Sequence, residues 1–335
     1  GYRGIMTIGA TLTATNNSFN GKCKEGIHAA GNINAEQLSV TGNNFTIAYN
    51  TWIYGIFIER PQANAGTHCT VAWNTFAVTA SGGLACIYVA DYSDATDVTQ
   101  VAINSMTIND ATGGGSGISV LMGNSDNFIV HDNNIHYGTI CTAANFGISL
   151  FSAQNPSIGH LISYNNLSGI DVTSDPNHYA MTCGFHASRV QHTTFCENTI
   201  NQSYRGFHFI AENDINLREN HLNTHYLGLR IDGGSGARIG IQGGCGNQWA
   251  LDPNACINYA ASVQSGANPL ASRFIVPEGN VLPWLPPNNK LDPNPSLGMN
   301  WFHTGLYTQD YCNLSSMIAP TRKVTPYEKE VIIGT

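Results

Sequence analysis

Two short segments, Val40-Thr41-Gly42-Asn43-Asn44-Phe45 and Gly55-Ile56-Phe57-Ile58, contain the pattern that decides the fold. In the first, an apolar residue precedes an Asn by three positions and another follows the Asn by two. This signature occurs eight times, with its Asn at Asn17, Asn43, Asn74, Asn104, Asn133, Asn165, Asn198 and Asn220. The steps between them are 26, 31, 30, 29, 32, 33 and 22 residues. A period of roughly 20 to 50 residues indicates a repeat architecture.

The second segment begins with a small residue. After it, apolar residues that are expected to face inward alternate with residues that are expected to face outward, as in a half-buried strand. The hairpin dipeptides of propeller blades do not recur at fixed positions, and the 3.6-residue periodicity of helical repeats is absent. We therefore predict an all-β fold, a right-handed parallel β-helix of about eight to nine coils that occupies residues 1–249.

The repeated Asn residues are predicted to stack into a structural ladder, in which each side-chain amide bonds the Asn of the next coil. Asn also tolerates the positive φ that a tight turn requires. We accordingly expect them to be structural residues and not ligands.

The pattern stops after Trp249, and residues 250–335 contain Pro-rich segments with scattered aromatic residues. Such a segment is expected to be irregular and to cap the open end of the solenoid, where strand edges would otherwise be exposed. The chain is expected to be part of a longer, processed protein with further modules.

Composition limits the classes of partner. The chain has a formal net charge of −8 with only 14 Lys and Arg, which disfavours nucleic acid and anionic membranes, and no apolar segment is long enough to insert in a bilayer. Charged residues make up 11% of the chain, and this low charge, with several glycosylation sequons, favours an extracellular or cell-surface location.

Nine cysteines indicate at least one disulfide in that setting, with Cys245–Cys256 as the first candidate; scattered buried thiols are the alternative. No cofactor is expected. The only hint of Ca²⁺ is the acidic trio Asp91, Asp94 and Asp97, which also fits a solvated turn.

The coil pattern resembles the pectate-lyase-like right-handed β-helix proteins over roughly residues 10 to 249. That resemblance implies the fold, but the superfamily includes lyases, hydrolases, isomerases, adhesins and phage tail spikes. The clustered Asp, Gly-His-Gly and Arg-x-Lys signatures of its polygalacturonase-like members are missing. Gly246-Asn247-Gln248-Trp249, followed later by Trp301-Phe302, resembles type IX secretion cargo, which implies an outer-membrane secretion machine as a partner.

One face is a candidate binding site. The segments that join each signature to the following strand lengthen up to residues 168–183 and then shorten, which predicts an overhang above a bare shelf. The residues expected on this shelf are His186, His208, Arg230, Tyr204, Tyr226, Glu197 and Glu219.

These residue types suit acid–base chemistry, charge stabilisation and stacking on sugars. Because coils repeat at about 4.8 Å, Glu197 and Glu219 are expected near the roughly 5 Å separation of retaining glycosidases. The alternative is a polar surface ladder without a ligand. Phe57 and Tyr88 form a second candidate, either a glycan-stacking platform or simple packing.

Three functions remain open at this stage. The leading hypothesis is a non-catalytic module of a larger secreted or cell-surface protein, acting as a rigid spacer or adhesin that contacts a glycan or another surface polymer. The second is a polysaccharide lyase or glycoside hydrolase that acts at the shelf. The third is a secretion cargo whose own activity is not indicated by its sequence.

Overall fold

The computed structural model describes residues 3–30, 37–60, 68–91, 98–109, 113–122, 128–139, 143–152, 160–170, 180–243, 246–249, 256–264, 266–277, 284–294 and 301–305. Within these ranges the chain forms an all-β parallel solenoid of about seven turns, which confirms the predicted fold class. The right-handed sense stays a prediction.

Three parallel sheets run the length of the solenoid. Sheet 1 contains the eight strands that precede each signature Asn, at Leu12–Thr15, Gln37–Thr41, His68–Ala72, Val98–Ala102, Phe128–His131, His160–Ser163, Thr193–Cys196 and Ile215–Arg218. Sheet 2 contains the nine strands that follow the Asn, at Ser18–Gly21, Asn44–Tyr49, Thr75–Ala80, Ser105–Asn109, Asn134–Tyr137, Asn166–Ser168, Thr199–Asn201, His221–Leu222 and Gln248–Trp249.

Sheet 3 contains the alternating segments that begin near the small residue. Its eleven strands are Arg3–Ile8, Glu25–Ala30, Ile53–Arg60, Leu84–Asp91, Gly115–Met122, Asn145–Ser152, Cys183–Ser188, Ser203–Ile210, His225–Asp232, Cys256–Val263 and Leu291–Asp292. Two short 3₁₀ helices, Pro269–Ala271 and Asn288–Lys290, interrupt the C-terminal part. The described part of the chain contains no helix with the length and apolar character needed to cross a membrane.

The asparagine ladder stands at the turn between sheets 1 and 2, and each interior member uses its whole side-chain amide. Nδ2 of Asn104 donates to Oδ1 of Asn133 (2.9 Å) and to the backbone oxygen of Val71 (3.0 Å). Its Oδ1 accepts from the backbone N and from Nδ2 of Asn74, both at 3.0 Å. Buried polar groups must be paired to avoid a desolvation penalty, and here every rung satisfies its neighbours.

A ninth rung extends the ladder. Asn247 accepts from Nδ2 of Asn220 at 2.9 Å, and its own Nδ2 donates to the backbone oxygen of Leu217 at 3.1 Å. The segment Asn247-Gln248-Trp249 fits the Asn-x-apolar pattern, with Trp249 as its buried apolar residue.

The residue with positive φ at this turn is the one before the ladder Asn, and not the Asn itself as expected from the sequence. The left-handed residues are those just before the ladder Asn, with φ of 55° at Trp73, 54° at Ile103 and 50° at Glu197. The expectation that Asn itself supplies this conformation was wrong, because the ladder Asn is needed for its amide. A β-branched residue such as Ile103 is strained there, and it stays because the bonds on either side define its backbone.

The small residue of sheet 3 is required by the apolar residue of the signature. A Cβ on Gly55 would lie 2.6 Å from Cε1 of Phe76 and 2.6 Å from the backbone oxygen of Cys86. Ile200 approaches Gly184 in the same way, with Cγ2 at 2.9 Å from such a Cβ. The two halves of the repeat therefore occur together because they pack on each other inside the solenoid.

The predicted boundary at Trp249 is not a break in sheet 3, since Cys256–Val263 pairs in parallel with His225–Asp232. Aromatic residues then close the end of the core. Phe274 packs edge-on against Trp249 (5.5 Å between ring centroids) and stacks on Phe302 (4.8 Å), beside the fully buried Trp301. This arrangement fits the irregular cap that was expected.

We predict that Asn104→Ala lowers the free energy of unfolding by about 3 kcal/mol or more, because it leaves several buried donors and acceptors without partners at about 1–3 kcal/mol each. Denaturant unfolding of the purified chain measures this. The control is Asn17→Ala at the half-exposed first rung, where water can replace the lost bonds and a loss below about 1 kcal/mol is expected. Equal losses at both positions would contradict a buried, fully bonded ladder.

Candidate functional site

The register of sheet 3 brings three of the expected site residues into one outward column. His186 pairs with His208, and His208 pairs with Arg230, on successive strands. The three side chains are therefore neighbours on strands about 4.8 Å apart, and the two imidazole centroids lie 5.4 Å from each other.

An aspartate completes this cluster. Nε2 of His208 lies 2.8 Å from Oδ2 of Asp232, and Nε of Arg230 donates to the same oxygen at 2.6 Å. On the other side of the imidazole, Nη1 of Arg205 lies 3.4 Å from Nδ1 of His208. We call this group the histidine cluster. It contains five residues: His186, Arg205, His208, Arg230 and Asp232.

Burial sets the charges in the histidine cluster. Burial, with the nearby charges of His208 and Arg205, lowers the pKa of His186 to about 4. Burial also lowers the pKa of His208, although the Asp232 carboxylate opposes that shift. For Asp232, burial is outweighed by hydrogen bonds from His208 and Arg230, so its pKa is lowered and it remains ionised. Both imidazoles are neutral near pH 7.

The predicted shelf is not bare. His186 and His208 are each only 7% exposed, because aromatic side chains pack over this part of the face. Phe146 and Phe151 contact the His186 ring with centroid distances of 4.7 and 5.2 Å. The expected overhang falls largely on residues 171–179, which lie outside the described residues.

The two expected tyrosines flank the histidine cluster. The rings of Tyr204 and Tyr226 stack at 5.0 Å, and the guanidinium carbon of Arg205 lies 5.0 Å from the centroid of Tyr204. This cation–π contact holds Arg205 beside His208.

Glu197 and Glu219 lie elsewhere. Both occupy the left-handed position at the turn between sheets 1 and 2, with φ of 50°. The hydroxyl of Tyr164 donates to Oε1 of Glu197 at 3.2 Å, and burial together with this carboxylate raises the pKa of Tyr164 to about 12. Because the turn is a different part of the coil from sheet 3, the expected set of shelf residues separates into two places.

The second candidate, Phe57 and Tyr88, belongs to a larger group of rings on the outer face of sheet 3. Phe57 and Tyr88 stack at 5.0 Å, and His28 stacks on Phe57 at 4.7 Å. Tyr54 packs edge-on against both Phe57 (5.0 Å) and Tyr88 (5.5 Å). We call Trp52, Tyr54, Phe57 and Tyr88 the aromatic platform.

Trp52 is the most exposed ring of the aromatic platform, at 46% of its surface. Its indole tilts against Tyr54 with centroids 5.8 Å apart. A Cβ on Gly83 would come within 2.0 Å of Cε3 and Cζ3 of Trp52, so the indole rests directly on this glycine of the next coil. The ring is therefore supported on one side while much of it faces solvent.

Polar groups border the aromatic platform. The buried Glu25 carboxylate accepts hydrogen bonds from Nε of Arg3 and, at 2.8 Å, from Nδ1 of His28. Burial opposes ionisation of Glu25, but these two partners outweigh it and lower its pKa.

Several residues of these sites were not singled out from the sequence as site residues. Asp232 could have been found, since it stands two residues after Arg230 and alternation places it on the same face. Arg205 could have been considered too, since it follows directly after the expected Tyr204. Trp52 gives no such signal, because its position depends on Gly83 of the following coil.

Metal and disulfide predictions are only partly covered by the structure. The described residues contain no group of three His, Cys, Asp or Glu that could hold a metal ion. Asp94 and Asp97 lie outside the described residues, so Ca²⁺ binding there stays a prediction. Cys245 also lies outside them, which leaves the Cys245–Cys256 pair untested. Cys196 is disulfide-bonded.

Comparison with models of known protein families, with curated proteins and with solved structures found no match. The resemblance to the pectate-lyase-like and type IX proteins therefore stays a prediction.

Buried histidines predict acid sensitivity. His160 faces the core, where its Nδ1 accepts from the backbone N of Phe128 at 3.1 Å, and burial with the nearby His192 lowers its pKa to about 4. In the unfolded chain a histidine titrates near about 6.5. Its stabilising contribution is thus complete above that pH and is lost as the pH falls towards 4.

We predict that wild type loses stability between pH 7 and pH 4.5, and that His160→Asn loses about 2 kcal/mol less, because one proton-linked group is removed. Asn retains an acceptor for Phe128. Denaturant unfolding measures the free energy of unfolding of both proteins at the two pH values. The quantity compared is the change between the two pH values in each protein, and not the absolute stability. Identical losses in the two proteins would show that His160 titrates normally in the fold.

Proposed function

We propose that this chain is a carbohydrate-binding β-solenoid module of an extracellular or cell-surface protein, with the aromatic platform as its binding surface. The observation that carries the proposal is the exposed indole of Trp52, held against Gly83 and backed by Tyr54. An aromatic ring in this position offers a flat apolar surface to the C–H face of a sugar ring.

The rest of the aromatic platform supports the same function. Tyr54, Phe57 and Tyr88 pack on one another, so they lose little conformational freedom when a ligand binds. Glu25 and His28 next to them provide hydrogen-bonding groups suited to sugar hydroxyls. Apolar rings with a few fixed polar groups are the usual composition of a small-molecule site.

The disulfide at Cys196 supports the location, because disulfides persist mainly in oxidising compartments. A role as rigid spacer is compatible with carbohydrate binding, since the solenoid is continuously bonded along its length. Export by an outer-membrane machine of the type IX class remains a prediction from the sequence.

We expect Trp52→Ala to weaken binding of the best ligand on a glycan array by roughly tenfold or more, because the stacking surface and its burial are lost. The array identifies the ligand, and isothermal titration with the purified oligosaccharide measures the affinity.

The matched control is Trp73→Asn. Trp73 is also exposed, at 38%, but it stands at the turn between sheets 1 and 2, and Asn tolerates its positive φ. Its loss should leave binding unchanged. Absence of any glycan ligand, or equal effects of the two substitutions, would refute the proposal.

A second candidate function is polysaccharide cleavage at the histidine cluster, and the His208–Asp232 bond favours it. Asp232 holds the proton of His208 on Nε2, so the lone pair is on Nδ1. Nη1 of Arg205 lies 3.4 Å from Nδ1, and Nδ1 would act as a base once a substrate draws Arg205 away. In a β-elimination, Nδ1 would remove a proton from a carbon atom of the substrate. The electron pair of that C–H bond would form a C=C bond with the neighbouring carbon, and the C–O bond on that neighbouring carbon would break. The arginines would stabilise the developing negative charge, and the departing oxygen would take up the proton that Nδ1 of His208 had accepted, which restores the neutral imidazole.

If the chain cleaves polysaccharides in this way, a panel of uronate-containing polymers should give products with the ultraviolet absorbance of a conjugated double bond. His208→Ala should reduce the rate by about a hundredfold or more, the usual range for loss of a general base. Trp73→Asn should not change the rate. A panel without any product would eliminate this second candidate and leave the binding proposal intact.

A further inference from the structure

The histidine cluster carries an excess positive charge. Asp232 supplies one negative charge, and it already bonds Arg230 and His208 through the same oxygen, at 2.6 and 2.8 Å. The two imidazoles are neutral near pH 7, because burial lowers the pKa of both. Two guanidinium groups therefore face one carboxylate, within a chain whose formal net charge is −8.

Arg205 is the unbalanced cation. None of the ion pairs among the described residues includes it. Its Nη1 contacts His208 at 3.4 Å and its guanidinium lies near the Tyr204 ring, while its Nε is buried without a hydrogen-bond partner. A buried cationic donor left without a partner is costly, so the position suits an anion supplied by a ligand.

Two more polar atoms around His208 lack partners. Nδ1 of the buried His186, whose ring lies 5.4 Å from that of His208, has no hydrogen bond. Oδ1 of Asp232 is also buried without a donor. Nδ1 of His186 can donate to a ligand oxygen when it carries the proton of the ring. Oδ1 of Asp232 can only accept, so it requires a ligand group that donates, such as a hydroxyl group.

From these three unmet requirements we infer that the histidine cluster is a binding site for a ligand that presents an oxyanion beside a hydroxyl group. The oxyanion lies against Arg205 and His186, and the hydroxyl donates to Oδ1 of Asp232. Tyr204 and Tyr226 form a stacked wall next to Arg205. This site is separate from the aromatic platform, and its existence does not depend on carbohydrate binding at Trp52.

Four small probes at equal ionic strength test the inference: glucuronate, glucose, acetate and sulfate. Titrations are followed by the NMR signals of the histidine rings and by calorimetry. Glucuronate has both groups and should bind saturably and shift the His186 and His208 signals, which are assigned with the His186→Gln and His208→Gln variants. Glucose lacks the oxyanion, whereas acetate and sulfate lack the hydroxyl, so each should bind at least tenfold more weakly.

Arg205→Gln should weaken glucuronate binding at least tenfold. Arg205→Lys should weaken it less, since it keeps the charge but loses the planar fork and Nε. Arg238→Gln is the control, because Arg238 forms an exposed ion pair with Glu212 outside the histidine cluster. Circular dichroism checks that each variant is folded. If Arg205→Gln does not fold, the test uses Arg205→Lys.

Saturable glucuronate binding that Arg205 variants weaken and Arg238→Gln does not would support the site. The inference is overturned if glucuronate does not bind, if Arg205 variants bind it like wild type, or if sulfate or acetate binds as tightly as glucuronate. Because the aromatic platform is tested with Trp52→Ala, failure of one proposal leaves the other open.

Discussion

Everything else in this molecule depends on the pairing of buried amides along the asparagine ladder. Each interior Asn accepts at Oδ1 from the preceding rung and donates through Nδ2 to the next, so a single displaced rung leaves unmet bonds on both sides. Burial of one apolar face of each sheet opposes a shift by one residue, and the ladder selects the one register that satisfies every amide. The columns of side chains on sheet 3, including both candidate sites, follow from that register.

This constraint explains how much of the fold could be predicted from the sequence. The Asn signature recurs, and this recurrence, with the alternating strand after each signature, predicted the parallel solenoid and eight members of the ladder. The rung at Asn247 was missed although it fits the pattern, because Gly246-Asn247-Gln248-Trp249 was interpreted as a resemblance to type IX secretion cargo. The left-handed residue was assigned one position too late, since a sequence does not distinguish between an Asn kept for its conformation and one kept for its amide.

For the candidate sites, the sequence predicts well which residues of successive coils are neighbours. It predicts less well on which part of a coil a residue lies. His186, His208 and Arg230 could be aligned because they share the same distance from a signature. Glu197 and Glu219 were assigned to the same shelf although they stand at another turn. The burial of His186 was missed as well, because it comes from Phe146 and Phe151, whose side chains reach across from a neighbouring strand.

The column of left-handed residues has a consequence for how such a solenoid can change over evolution. Its described members are Asn16, Gly42, Trp73, Ile103, Asp132, Tyr164, Glu197, Glu219 and Gly246, a set with no common chemistry. The backbone there is held by the amides beside it, so the turn does not depend on one residue type. An edge of the solenoid thus carries a row of varied side chains at strand spacing, where a new surface property can be acquired while the interior stays the same.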